Sequence, residues 1–277
     1  GIRNRRNIKD SKLSDSEIIT ISIVGELLTI DSEKSFFSLL KREYKELFPR
    51  LGDRTRFNRT KRNLHLVISK IRGYISEFMQ LYSNNIRVID SMPIPVCEFG
   101  RAHFSKCFKG EASYGICASK KETYFGFKFH ALTTVDGFLT DYVITPANID
   151  DRNAVWDLCD KYRSISIIGD KGYINKRLTP ELKSERDIDL LFLKRANSRD
   201  NYPKEVRQLL FKVRRRIETS FSQLTEQLNL NKVKSKSMLG FITRTSIKVL
   251  AHNISFLINK LMKNDDSMAK IKRLVFG

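Results

Sequence analysis

YFGFKFHALTTVDGFLTDYVI, residues 124–144, is the stretch that decides the fold class of this chain. Residues 124–135 alternate between an apolar and a polar face, as a half-buried strand does. One face carries Phe125, Phe127, Phe129, Ala131 and Val135, and the other carries Lys128 and His130. Asp136-Gly137 then supplies a dipeptide typical of tight hairpin turns, so residues 138–144 form the predicted return strand. The centre of the chain is therefore predicted to hold an antiparallel pair of strands.

Strand and helix patterns alternate on the C-terminal side of this hairpin. They predict a helix from Asp150 or Asp151 to about 161, a strand over 164–168, a helix over 176–185, a strand over 190–193 and a helix over 203–228. On the N-terminal side, residues 86–89 form a short strand ending at Asp90, and 97–123 form a long connection without strands. This order predicts an α/β domain with a mixed sheet over residues 85–230, followed by a basic helical segment over 231–277 whose helix covers about 240–263.

Residues 1–84 read instead as an all-helical domain. Ser14 and Glu17 make a capping box that opens a helix over 15–29, Asp31 is the predicted cap of a helix over 32–47, and Asp53 is the predicted cap of a third helix interrupted at Gly73. Residues 54–73 contain seven basic residues and no acidic one, as in the recognition helix of a helix-turn-helix. The predicted DNA contacts there are Arg54, Arg56, Asn58, Arg59, Lys61 and Arg62, with the first four placed to read base edges. A solvated charged face is the alternative.

Composition sets the class of partner. The chain has 277 residues and a formal net charge of +20, which points to a polyanion such as nucleic acid. Because 41% of the residues are hydrophobic and 10% are aromatic, a disordered basic tail is excluded. We expect no transmembrane helix, no signal peptide and, since the four cysteines form no C-x-x-C pair, no zinc site. Reduced thiols in a cytoplasmic protein are the default expectation.

Three carboxylates are placed where catalytic groups gather in α/β proteins. Asp90 and Asp170 end predicted strands, and Glu218 lies in the last long helix of the α/β domain. If they converge, their oxygens suit hard divalent cations, and two such ions are a standard device for attack at a phosphodiester. Each residue alone has a plainer explanation: a strand-end aspartate is often a turn or cap, and Glu218 can pair with Arg214 or Arg215 on its own helix.

The residue order resembles that of the DDE transposases, and most closely the transposases of the bacterial insertion sequence family 982. The specific stretches are VIDSMPIPVC (88–97), IIGDKGY (167–173) and RRIETSFSQL (215–224). The resemblance runs from about residue 12 to about 260, and by it the chain begins some residues inside the family's usual start. It implies an RNase H-like, retroviral-integrase-like mixed sheet flanked by helices, behind the helical N-terminal domain.

The same resemblance implies the chemistry. The catalytic, metal-binding triad falls on Asp90, Asp170 and Glu218, with two Mg²⁺ ions for which Mn²⁺ can substitute. The reaction is cleavage and strand transfer at insertion-sequence ends, on double-stranded DNA, by a homodimer or higher oligomer at the bacterial nucleoid. The resemblance adds Arg214 and Arg215 as DNA contacts. Position in the sequence predicts further contacts at Lys128, Lys171, Lys194 and Arg195. For Lys128 the alternative is a solvated or hydrogen-bonded pair with His130, and for Lys171 it is a surface lysine. A decayed or domesticated, non-catalytic DNA-binding protein is the alternative function, and a stand-alone nuclease of the same fold is a third.

Overall fold

The structure is a computed structural model, and it describes residues 8, 11–79, 84–117, 120–173, 175, 177–192, 202–263 and 269–271. The chain divides into two compact units. The first combines Gly1–Ile75 with Leu224–Gly277, so it joins most of the predicted N-terminal domain to the C-terminal segment. The second is Ser76–Gln223. No helix within the described ranges is both long enough and apolar enough to cross a membrane.

Eight α-helices and six strands make up the described parts of the two units. In chain order they are α1 (Asp15–Leu27), α2 (Glu33–Glu43), α3 (Arg54–Asn63), α4 (His65–Phe78), β1 (Ile86–Pro95), β2 (Ser113–Cys117), β3 (Glu122–Thr133), β4 (Leu139–Pro146), α5 (Asn153–Cys159), β5 (Ile165–Gly169), α6 (Leu178–Arg186), β6 (Ile188–Phe192), α7 (Lys204–Ser222) and α8 (Met238–Leu261). Most predicted boundaries lie within about three residues of these. The long helix predicted over 203–228 ends at Ser222, and Gln223–Gln227 continue as a π-helical turn.

Helix caps explain where the N-terminal helices begin. The capping box of Ser14 and Glu17 is confirmed, and Asp53 accepts a hydrogen bond from the backbone of Arg56 at 2.8 Å, as predicted. The cap of α2 is Ser32, not Asp31, because the Ser32 hydroxyl accepts from the backbone of the helix's first turn. The interruption predicted at Gly73 is wrong. The break falls at Leu64, which separates α3 from α4.

The second unit is built on a six-stranded mixed sheet. The strand order is β2-β3-β1-β5-β6, with β4 also paired to β3. β1 pairs antiparallel with β3 and parallel with β5, and β5 pairs parallel with β6. The hairpin predicted from Asp136-Gly137 is confirmed as β3–β4. β1 therefore has a paired neighbour on each side, which places its middle in the interior of the sheet.

Two strand predictions need correction. β1 does not end at Asp90 but continues to Pro95, because its second half pairs with β3 alone. Pairing with β5 stops at Val88, so the prolines at 93 and 95 fall where that side of the strand has no ladder to donate to. The connection over 97–123 also holds a strand: β2 pairs with the first half of β3.

Helices cover both faces of the sheet. On one face, Ile89 and Leu132 pack with apolar residues of α5 and α6 in a continuous core. On the other, Leu210 of α7 packs against Ile168, and the Phe221 ring meets that of Phe129 edge-on. Because side chains alternate along a strand, successive residues of β1 point toward different helices. This alternation separates two groups of polar residues described below.

Candidate active site

The two predicted strand aspartates lie two residues beyond the last pair between the adjacent parallel strands β1 and β5. Val88 of β1 is in register with Ile168 of β5, and Asp90 and Asp170 each lie two residues further on. Two steps along a strand return a side chain to the same face, here the face that carries α7. The predicted parallel neighbourhood of these strands is confirmed. α7 brings Glu218 and Arg214 to the same edge, since Arg214 lies close to both Asp170 and Glu218.

Asp90 is the most buried of the three carboxylates. Its Oδ1 accepts a hydrogen bond from the backbone of Ser91 at 2.8 Å. Burial raises the pKa of Asp90 to about 6, and the charges of Asp170 and Glu218 add to the rise, while the Ser91 hydrogen bond and Arg214 oppose it. Burial is the largest of these causes, ahead of repulsion among the carboxylates.

Arg214 is the cation that the described side chains bring to these carboxylates. Its Nη2 lies 3.5 Å from Asp170 Oδ2 and 3.7 Å from Glu218 Oε1, distances longer than those of good hydrogen bonds. The guanidinium is 24% exposed, whereas the side chains of Asp170 and Glu218 are 43% and 54% exposed. Its Nε is buried and finds no acceptor among the described residues. One loosely held guanidinium thus faces three carboxylates.

The three carboxylates are the kind of ligand that a hard divalent cation prefers, but they do not surround a common position in this structure. Within the described ranges, no group of three or more His, Cys, Asp or Glu side chains lies close enough to hold a metal ion. Carboxylate oxygens are the ligands that Mg²⁺ prefers, and an excess of negative charge is present at this edge. Asp90 and Asp170 fit best, because the sheet sets their positions. Glu218 rides on a helix and is mostly exposed.

A second polar group lies on the other face of the sheet, centred on Asp151. Its Oδ1 accepts from Lys128 Nζ at 2.7 Å, and its Oδ2 accepts from Ser91 Oγ at 3.0 Å. Lys128 also donates to the Ile149 carbonyl at 2.8 Å. Ser91 follows Asp90 in β1 and therefore points the opposite way. We name Asp151, Lys128, Ser91 and His130 the Asp151 cluster.

His130 completes the cluster as a neutral side chain. It is fully buried, its Nε2 lies 2.9 Å from Thr145 Oγ1, and its Nδ1 lies 3.9 Å from Asp151. Burial lowers its pKa to about 4, and the positive charge of Lys128 adds to this, against the pull of Asp151. At neutral pH the cluster therefore contains one carboxylate and one ammonium. It is a compensated pair within the structure.

The structure places the predicted DNA contacts of the second unit in different surroundings. Lys128 is not placed to touch a phosphate beside Asp90, because its ammonium is held by Asp151 on the opposite face of the sheet. Arg215 is exposed on α7. Lys194 and Arg195 lie outside the described residues, as does the side chain of Lys171. Arg214 is thus the predicted contact that the structure brings to the carboxylates.

In the first unit, Glu33 organises the basic helix α3. It accepts from Asn58 Nδ2 at 2.5 Å and from Lys61 Nζ at 2.8 Å, and it lies 3.7 Å from Arg54. Burial alone would raise the pKa of Glu33, but the charge of Lys61 and the hydrogen bonds outweigh it and hold that pKa below its ordinary value. The amide of Asn58 is therefore engaged by Glu33 in this structure, and base-edge reading by Asn58 stays a prediction. Arg56 and Arg59 are exposed.

Sequence reasoning missed Asp151 and Glu33. Asp150 or Asp151 was expected to start the helix, whereas α5 begins after Arg152 without a side-chain cap. The partners of Asp151 come from β1 and β3, and those of Glu33 from a different helix. No local pattern announces such pairs. The one available signal was an unexplained second aspartate after Asp150.

The family comparison fits this arrangement of strand aspartates and a helical glutamate. The family described as the transposase DDE domain matches residues 81–238, which is more than half of the chain. The chain therefore belongs to the transposase DDE domain family. The matched range contains the whole of β1, β5 and α7. Neither a search of curated proteins nor a search of solved structures gives a match.

Proposed function

We propose that this protein is a DNA transposase that cleaves the ends of an insertion sequence of the 982 type and joins them to target DNA. The observation that carries the proposal is the meeting of Asp90, Asp170 and Glu218 at one sheet edge, inside the range matched by the family. Membership of that family implies DNA as the partner in general. The finer assignment of ends, target and residues is our own.

In this proposal Asp90 and Asp170 hold divalent cations, and Glu218 completes one site. Bound Mg²⁺, or Mn²⁺ in its place, would supply Lewis-acid polarisation of the phosphate and a more acidic attacking hydroxyl. The chain's own residues prepare this position. The sheet places both aspartates on the same face. Burial of Asp90 keeps water away from one side of the site. Arg214 is close enough to contact a phosphate that enters between Asp170 and Glu218.

The reaction has two displacements at phosphorus. In the first, the oxygen of a water molecule forms a bond to phosphorus, the P–O3′ bond at the end of the element breaks, and the departing oxygen takes a proton to become a 3′-hydroxyl. In the second, that hydroxyl loses its proton, attacks a phosphorus of the target strand and expels the target's own 3′-oxygen. Neither step needs an oxidant or a reductant. Both use the same carboxylates.

We also infer an RNase H-like fold for the Ser76–Gln223 unit. What supports it is the parallel pairing of β1 with β5, the antiparallel pairing of β1 with β3, and α7 on the face of the aspartates. We assign catalysis to this unit and DNA binding to the other. The predicted all-helical N-terminal domain then acts together with the C-terminal segment rather than alone.

The test is a cleavage and strand-transfer assay. Duplex DNA carrying the element's own terminal repeats is incubated with the full chain and Mg²⁺, and nicked and joined products are separated on denaturing gels. Metal-dependent nicking at the repeat ends followed by joined products supports the proposal. Cleavage without joining would favour a nuclease. Tight DNA binding with no cleavage in Mg²⁺ or Mn²⁺ would favour the non-catalytic alternative.

A further inference from the structure

The unit formed by Gly1–Ile75 and Leu224–Gly277 contains a polar cleft that the family assignment does not explain. Its volume is about 340 Å³, and it lies between α3, the loop before α8 and the first turns of α8. Six cationic side chains line it: Arg54, Lys61, Arg62, Lys234, Lys236 and Arg244. Three come from the N-terminal part of the chain and three from the C-terminal part. We name this feature the α3–α8 cleft.

The other residues that line the α3–α8 cleft narrow the class of ligand. They include the hydroxyl side chains of Thr55, Ser235 and Ser237, and the described lining contains no aromatic side chain. Hydroxyls and cations are the usual partners of phosphate oxygens, whereas binding of splayed bases relies on aromatic stacking. Of the described lining residues, Glu33 alone is acidic. The chemistry therefore fits a phosphodiester backbone.

Two cations of the cleft are held in place by partners within the protein. Lys61 is fixed by Glu33, and Arg244 donates to the Asp31 carbonyl at 2.7 Å and lies 3.4 Å from Glu26. Ordered cations lose less conformational freedom when a ligand binds. The wall of the cleft is thus built before a ligand arrives.

Arg62 is a cation of the lining whose hydrogen bonding is incomplete. Its Nε is buried and has no acceptor within the described residues. Arg62 also lines the cleft, where its guanidinium can donate to a phosphate oxygen. The side chain also passes close to the start of α8, with Cδ 3.9 Å from the position that a Cβ on Gly240 would take. Arg62 therefore stands where α3 and α8 meet.

We propose that the α3–α8 cleft binds the phosphate backbone of duplex DNA, so that α3 and the loop before α8 form one composite DNA site. The proposal rests on the proposed function for its choice of DNA over other polyanions. It extends that function because it assigns phosphate binding jointly to Arg62 of α3 and Lys236 of the loop before α8. It also gives Glu33 a defined effect, because that carboxylate competes with phosphate for Arg54 and Lys61.

The test measures the affinity of the full chain for a terminal-repeat duplex and a random duplex at several salt concentrations. Arg62→Gln and Lys236→Gln should each reduce the log–log salt slope by roughly 0.9 and weaken binding about fivefold near 0.15 M salt. The loss should be equal on both duplexes, since phosphates carry no sequence. Lys45→Gln is the matched control, because Lys45 is exposed in the same unit but outside the cleft.

Glu33→Gln should change the DNA affinity in the opposite direction. Removing the competing carboxylate should tighten DNA binding, whereas a purely structural role predicts weaker binding. Lys236 is exposed in a loop, so Lys236→Gln folds normally even if Arg62→Gln does not, and thermal unfolding of each variant checks this. Unchanged slopes for Lys236→Gln with tight parent binding would overturn the composite site alone. A parent that binds no duplex would overturn the proposed function, and tighter binding of an RNA duplex would overturn the choice of DNA.

Discussion

The two polar groups on opposite faces of the sheet differ in how completely their charges are matched. Both begin from neighbouring residues of β1, Asp90 on one face and Ser91 on the other. In the Asp151 cluster, one carboxylate accepts bonds of 2.7 and 3.0 Å and one ammonium balances it. At the candidate active site, the one guanidinium among the described side chains near the three carboxylates lies 3.5 Å or more from two of them.

This difference separates a structural polar group from one built for a ligand. The Lys128–Asp151 pair is hydrogen-bonded within the protein, so its contribution is to hold β1, β3 and the segment before α5 together, although His130 Nδ1 is buried without a hydrogen-bond partner among the described residues. A cluster with surplus negative charge is held at a cost in the free protein and is relieved by a cation. The same strand thus serves both purposes through side-chain alternation alone.

The largest expected effect is on cleavage. Asp90→Asn, Asp170→Asn and Glu218→Gln should each slow cleavage on the order of a thousandfold while leaving DNA affinity nearly unchanged, because these groups act on the transition state. Initial rates and binding isotherms with the same duplex measure both. Asp136→Asn is the control, since asparagine is equally suited to its hairpin turn. A variant that keeps a tenth of the parent rate would remove that residue from the triad.

Asp151→Asn should lower stability instead. It leaves the Lys128 ammonium, 17% exposed, without a counter-charge. We expect the free energy of unfolding to fall by about 2 kcal/mol, less than for a fully buried pair because Asp151 is 27% exposed. Urea unfolding measures it. Adding Lys128→Gln should recover part of the loss, and strictly additive losses would show that the two residues are not coupled.

Asp90→Asn should also change the pH dependence of stability. The folded-state pKa of about 6 exceeds the ordinary value of 3.8, so the folded protein binds more protons between these pH values and loses stability as the pH rises through that window. In metal-free buffer near pH 7.5 the variant should be more stable than the parent by about 1–2 kcal/mol, and near pH 4 the two should be equal. A constant difference at both pH values contradicts this.

The smallest effect is expected at Arg214. Its pairs with Asp170 and Glu218 are long and partly exposed, so Arg214→Gln should lower the free energy of unfolding by less than about 1 kcal/mol. The neighbouring Arg215→Gln is the matched control and should change nothing. A loss comparable to that of Asp151→Asn would mean that Arg214 belongs to a satisfied network, and the contrast between the two faces would disappear.

Local features of the fold were predictable, and features that depend on distant pairing were not. The Ser14–Glu17 box, the Asp53 cap and the β3–β4 hairpin follow from residues that interact within a few positions. β2 was missed because its strand exists only through pairing with β3. The extension of β1 was missed because prolines argue against a strand unless the open side is known.

The candidate site also has features that the sequence could predict and features that it could not. Chain order and carboxylate chemistry pointed to Asp90, Asp170 and Glu218 before any geometry was known. The main cause of the raised Asp90 pKa was not predictable, because burial depends on strand order. Nor was the use of Lys128, whose partner Asp151 lies on another element.

The parallel pairing of β1 with β5 also sets when the proposed site can be completed during synthesis of the chain. The β3–β4 hairpin can form as soon as it leaves the ribosome, whereas β1 must wait for β5 and then for α7. No nascent chain that stops short of Glu218 carries all three carboxylates. The α3–α8 cleft matures later still, because Lys236 and Arg244 follow α7 in the chain. A chain that ends between Glu218 and Lys236 would therefore carry all three carboxylates but not the complete cleft, so under both proposals it would lack part of its DNA site.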